Sequence, residues 1–214
     1  MSTPYEVTRL DELESLPGPG TLRWTPIRRR FGLSAFGINA YTAHEAGQDV
    51  VEEHTEERLG HEEVYVVVAG RATFTLGAET VDAPAGTMVV LRDPATRRHA
   101  VAAEPATTVL AVGGKPGLHD PSAWEWSFAA YGHHSEGDTE RGIAVLEEGL
   151  EQKPEARPRF LYDLACLASL SGRGEEALEH LREAVELDPE LRKLAARDTD
   201  LDAIRDDPRF PALS

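Results

Sequence analysis

The feature that most restricts what this chain can become is a change of texture near Lys115–Pro121. Before it, short runs of β-branched and apolar residues alternate with glycine and proline turns. After it, helix-forming residues dominate. The first part predicts about ten short strands, roughly at 5–9, 21–28, 33–43, 48–56, 61–69, 71–76, 79–82, 87–91, 98–103 and 106–112. Turn signals fall between them, with "PGPG" at 17–20, "LGAE" at 76–79, "PAG" at 84–86 and "DPAT" at 93–96. Within "RATFTL", Ala72, Phe74 and Leu76 share one face, and Arg71, Thr73 and Thr75 share the other. Many short strands at this spacing predict an antiparallel double-sheet barrel or sandwich. A strand domain over 1–114 followed by an all-helical domain over 122–214 makes the fold class α+β.

The helical part matches itself. With an offset of 35 and no gap, Ala130 meets Ala165, Gly137 meets Gly172, Gly142 meets Ala177, Leu146 meets Leu181, Gly149 meets Ala184 and Pro154 meets Pro189. Small residues recur where paired helices must approach closely, and proline recurs where each pair ends. This resembles the tetratricopeptide repeat, a helix–turn–helix unit of nearly that period. Two helix pairs are expected, with the tail "ELRKLAARDTDLDAIRDDPRF" capping the stack. The resemblance implies a module that takes a protein or peptide partner in a groove, short and acidic here.

The stretch "HTEERLGHEEVYVVVAG" at 54–70 ends as an apolar strand but begins with two histidines and four glutamates. If Glu57–Gly60 form a loop, strands 48–56 and 61–69 pair antiparallel, with Glu56 opposite His61 and His54 opposite Glu63. Strand side chains alternate with period two, so these four share a face with Val67, which wants the core. A slip of one residue would turn His61 and Glu63 outward. Tyr65 lies one step deeper on that face, where its hydroxyl points at whatever the strands enclose. Such a nitrogen and oxygen set suits Zn, Mn, Fe or Ni without choosing among them. Two carboxylates desolvated together need an offset, either a cation or water entering the site. No lysine precedes Lys115, so that cation is a divalent metal, the histidines or an arginine. The bland readings are a solvated rim and a structural His–Glu hydrogen-bonded cluster. Elsewhere, His133 and His134 read as the exposed end of a helix, and Cys166 reads as a buried packing thiol.

Two further patterns carry a family resemblance. Gly47 is followed by "QDVVEEHTE", then Glu63, then Gly70; and Gly77 is followed by Pro84-Ala85-Gly86 and then His99. Over about 33–112 the chain resembles the cupin superfamily, whose members fold as small antiparallel double-sheet barrels of jelly-roll type. Most hold one divalent metal on three histidines and a glutamate. The resemblance adds His99 to His54, Glu56, His61 and Glu63 as the metal set, beside Tyr65 as the ligand-pocket residue. It departs from the family where Glu56 stands for a second histidine, where Glu56 and Glu63 are unusually far apart, and where Ala103 stands for an asparagine.

Charge narrows the partners. The formal net charge is −16, and the only basic run is Arg28–Arg30, read here as a strand edge. Nucleic acid and anionic membrane are therefore not expected as partners. Cys166 is the only cysteine, which excludes an intrachain disulfide and a cysteine-based zinc site. The first residues lack the apolar core of a signal peptide, and no segment reaches membrane-span length, so a cytoplasmic location is the expectation. Apolar N-terminal strands suggest a homodimer through the strand domain. Two functions stay open: a domain that binds a divalent metal or small molecule beside a protein-interaction module, or a metal-dependent enzyme of oxygenase, isomerase or lyase type acting on a small organic substrate.

Overall fold

Strand alternation sets the architecture of the first part of the chain. Along β9 (Arg98–Ala102), Arg98, Ala100 and Ala102 are buried while His99 and Val101 lie half-buried on the other face. β6 (Arg71–Leu76) hides Ala72 and Phe74 in the same way, and Phe74 stands opposite Ala100. Eight further strands complete two sheets: β1 (Leu16–Pro17), β2 (Arg23–Thr25), β3 (Gly37–Thr42), β4 (Asp49–His54), β5 (Glu62–Ala69), β7 (Glu79–Pro84), β8 (Met88–Leu91) and β10 (Thr108–Gly114). The six-stranded sheet runs β1-β2-β3-β10-β5-β8, the four-stranded sheet runs β4-β9-β6-β7, and the ladders are antiparallel. A single apolar core lies between them, with Val50, Val51, Tyr65, Val67, Phe74 and Val109 among its members.

This is a computed structural model; it describes residues 7–211 and divides into two units, Met1–Asp120 and Pro121–Ser214. The expected strand at 5–9 falls partly outside the described residues, and residues 7–9 form none. The expected strand at 21–28 is cut short. Pro26 leads into a one-turn helix, α1 (Ile27–Phe31), which Gly32 ends at φ 65°, so Arg28–Arg30 lie on a helical turn and not on a strand edge.

The expected hairpin between β4 and β5 does not form. β4 pairs with β9, while β5 lies between β10 and β8. With a neighbour on each side, β5 has no free edge to offer β4. The chain instead turns across the sandwich after His54, through a bend in which Gly60 N–H reaches back to the Glu56 carbonyl and Glu56 N–H is taken by Pro94. β4 also carries two register shifts, between Asp49 and Val51 and between Val51 and His54. They bury Val50 and Val51 together and then return His54 to the inner side, opposite Arg98.

The second unit is helical: α2 (Trp124–Ser135), α3 (Thr139–Gln152), α4 (Arg157–Leu170), α5 (Gly174–Leu187) and the short α6 (Leu191–Ala195). Short loops fold α3 back on α2 and α5 back on α4. Residues matched at the 35-residue offset occupy matching places. Ala130, Ala165, Leu146 and Leu181 are all fully buried, and Gly137 and Gly172 turn the chain after their helices at φ 89° and 77°. Gly142 is where α2 and α3 touch, since a Cβ there would sit 2.6 Å from the Ala130 carbonyl oxygen. Among the described residues no helix is long and apolar enough to cross a membrane.

Candidate metal centre

The crossing from β4 to β5 brings the acidic stretch of the sequence to one end of the sandwich. His54 closes β4, Glu56 sits in the bend and Glu63 opens β5; all three line a cavity of about 740 Å3. His54 Nε2 lies 3.8 Å from Glu56 Oε1 and 3.8 Å from Glu63 Oε2. One ligand atom from each residue can be chosen so that all lie within 4.8 Å of one another. His54 Nδ1 is 2.7 Å from the Glu52 carbonyl oxygen, so a proton on Nδ1 donates there and leaves the Nε2 lone pair facing the carboxylates. His61 lines the same cavity, its Nδ1 3.3 Å from Glu56 Oε2. That contact is not aligned as a hydrogen bond, and Glu56 Oε2 is a buried oxygen without one.

Glu63 is the best-held member. The Tyr65 hydroxyl donates to its Oε2 at 2.6 Å, and the Arg98 Nε lies 3.5 Å from the same oxygen. Burial alone would raise the Glu63 carboxyl, but His54, Tyr65 and the Arg98 charge outweigh it and hold the group below its ordinary range. The His54 imidazole is raised, chiefly by Glu63, against a smaller opposing effect of burial. Tyr41, whose ring lines the same cavity, is pushed up to about 12 by burial and by Glu52, Glu63 and Glu56. Tyr65 moves further in that direction for the same kind of reason, burial first and Glu63 second.

Arg98 is the residue that sequence reasoning missed. Its side chain is 0% exposed, its Nη1 donates to the Pro94 carbonyl at 3.4 Å, and its Nε and Nη2 have no hydrogen-bond partner. His99, expected in the metal set, points the other way. It lies on the outer face of β9 and pairs there with Asp49, Nε2 to Oδ1 at 2.9 Å. Adjacent residues of a strand face opposite sides, and the inner side at this position belongs to Arg98. Of the five expected ligands, His54, Glu56 and Glu63 therefore converge, His61 lines the cavity beside Glu56, and His99 is remote in direction.

The donor set fits a divalent cation. It offers an imidazole nitrogen of fixed tautomer, two carboxylates, and a buried Glu56 oxygen that makes no hydrogen bond. Among the described residues a second group, Cys166 with Asp198 and Asp200, lies in the helical unit. There Tyr162 donates to Asp198 at 2.8 Å, and burial pushes the Cys166 thiol up, so it stays protonated and offers no thiolate.

No family model matches this chain, and no curated protein does. Solved structures do. A cupin protein from Bacteroides fragilis is similar at 17% identity over 56% of this chain and 92% of its own, with a TM-score of 0.45. A sugar phosphate isomerase from a cupin superfamily, of Silicibacter pomeroyi, shares 20% over 51% of this chain and 76% of its own, with a TM-score of 0.42. The Streptomyces protein Pac13, a nucleoside dehydratase, shares 23% over 51% of this chain and 82% of its own, with a TM-score of 0.38. The first two of these neighbours are cupin proteins, and each of the three covers about half of this chain.

Proposed function

We propose that the first unit is a cupin-type domain that holds one divalent cation on His54, Glu56 and Glu63 and takes a small molecule in the cavity beside it. The convergence of three ligand atoms within 4.8 Å, together with a buried Glu56 oxygen that makes no hydrogen bond, supports this reading. Zn, Mn, Fe and Ni all suit the donors. A cation bound there supplies Lewis-acid polarisation of whatever oxygen the ligand presents. The chain's own residues do the rest. The Glu52 carbonyl fixes the His54 tautomer, Tyr65 and Arg98 keep Glu63 ionised and in place, and Tyr41 and Asn39 line the ligand's space. Binding without turnover is the leading form of the proposal, and chemistry on a small organic substrate is the alternative.

Arg98 favours a second reading, in which the cluster works without metal. The arginine already supplies a cation 3.5 Å from Glu63, and a protonated His54 between two carboxylates completes the charge balance. The two readings respond differently to chelator. A site-bound cation stabilises the folded unit by about 2.7 kcal/mol at a hundred times its dissociation constant. Stripping it should lower the unfolding temperature of the wild type and leave His54→Ala unmoved. If chelator leaves the wild type unmoved too, the metal-free reading stands.

The helical unit, on this proposal, is an interaction module of tetratricopeptide type that takes a protein or peptide segment, a reading supported by the matched burial at the 35-residue offset. Homodimerisation through the strand unit belongs to the same proposal; Val68, Met88 and Val90, on β5 and β8, are exposed apolar side chains that would serve it.

A further inference from the structure

The cavity is lined by acidic side chains and by exposed basic ones. Arg28 from α1, Arg58 from the bend before β5 and Lys115 just after β10 all line it, although they come from three separate segments. Most other basic side chains of this acidic unit are engaged. Arg9, Arg71, Arg97 and Arg98 each pair with a carboxylate, and Arg23 donates to the Ser15 carbonyl. Among the described residues Arg28, Arg58 and Lys115 make no ion pair and no side-chain hydrogen bond. They do not reach Glu52, Glu56 or Glu63, although those carboxylates line the same space. The cavity thus presents cations unpaired with its own carboxylates, a lining that suits a molecule carrying both an anionic group and a polar group.

We infer that the ligand of this cavity carries a carboxylate or phosphate group, received by Arg28, Arg58 and Lys115, while its uncharged polar end reaches His54 and Glu56. Arginine suits this task because its planar fork matches either anion in bidentate fashion, and lysine adds a mobile point charge. The exposed position of the three makes the attraction sensitive to salt. In a chain of net charge −16 such a patch gives the cavity an anion preference that the rest of the surface opposes. The inference rests on the cavity being the ligand site, and it holds with or without a metal on the carboxylates.

Glycerol 3-phosphate, glycerate and glycerol share a three-carbon body and differ in charge, so they serve as probes in titrations followed by calorimetry or NMR. At least one anion should bind, and glycerol should bind far more weakly. Arg58→Gln and Lys115→Gln should each weaken the anion about fivefold, and the double variant about twenty-fivefold. Tighter binding of glycerol 3-phosphate identifies a phosphate ligand, and tighter binding of glycerate a carboxylic acid. The double variant should still bind a divalent cation as the wild type does, so loss of the anion with the cation retained reports on the basic residues alone. A wild type that binds no cation but keeps charge-dependent anion affinity would remove the metal and leave this inference intact. Equal binding of glycerol and the anions, unchanged affinity in the double variant, or no binding of either anion at millimolar concentration would overturn it.

Discussion

Glu63→Gln should be far more damaging than its position on a cavity wall suggests. The substitution keeps the shape of the side chain and removes its charge, and with it the only carboxylate paired with Arg98 among the described residues. Arg98 is 0% exposed and already has two N–H groups without hydrogen bonds, so it cannot turn to water instead. Leaving one partner of a buried ion pair uncompensated costs about 3–5 kcal/mol. Unfolding entropy runs at about 2.1 cal/mol/K per residue, so over the Met1–Asp120 unit each kcal/mol is worth about 4 °C, and the expected fall is about 12–20 °C. Arg98→Met should cost less, because Glu63 keeps Tyr65 and His54 and is 14% exposed. The double variant should recover more than half of the loss, since no buried charge is left alone. Thermal unfolding of the three metal-free variants, followed by the strand unit's transition, decides it. A fall of less than about 4 °C in Glu63→Gln, or strict additivity in the double variant, would refute the pairing.

Three other outcomes are expected. The His54–Glu63 pair should make metal-free stability depend on pH with a definite sign. Glu63 is lowered from 4.5, so its contribution is lost as pH falls through its folded value; His54 is raised from 6.5, so its contribution is lost as pH rises through its own. The stability gap between wild type and His54→Ala should thus be widest between about pH 4.5 and 6.5, and a gap that grows steadily toward alkaline pH would contradict the pairing. Gly142→Ala should destabilise the helical unit by about 1–3 kcal/mol despite alanine's better helix propensity, because its Cβ would meet the Ala130 carbonyl oxygen at 2.6 Å; a rise in that unit's unfolding temperature would show that the helices have room to part. Met88, 61% exposed on the edge strand β8, should lie in the dimer interface of the proposed assembly; Met88→Glu should lower the mass seen by light scattering, and an unchanged mass would place the interface elsewhere.

The strands were legible in the sequence because alternation is local: Phe74 and Ala72 announce their face without help from any neighbour. Which strand lies beside which is not local. β4 and β5 follow one another in the chain and pair with others, because β5's apolar run is an interior strand with both edges taken. The convergence of His54, Glu56 and Glu63 was expected from a hairpin ladder and arises instead across the gap between two sheets, with the register shift before His54 restoring its inward direction. His99 was placed by family spacing, while the alternation of Arg98, Ala100 and Ala102 already pointed the other way. A fully buried arginine runs against hydrophobic patterning, so only that alternation announced it. The cations lining the cavity were invisible for another reason. Arg28, Arg58 and Lys115 are far apart in the chain, and only the folded unit brings them to one space.

The central claim is a divalent cation on His54, Glu56 and Glu63, and titrating metal-free protein with Zn2+ and Mn2+ by calorimetry tests it most directly. The wild type and His99→Ala should each take one cation per chain, because His99 faces away from the site. His54→Ala should take none at the same concentrations while remaining folded. A wild type that binds no cation, or a His99→Ala variant that loses it while His54→Ala keeps it, would contradict the account.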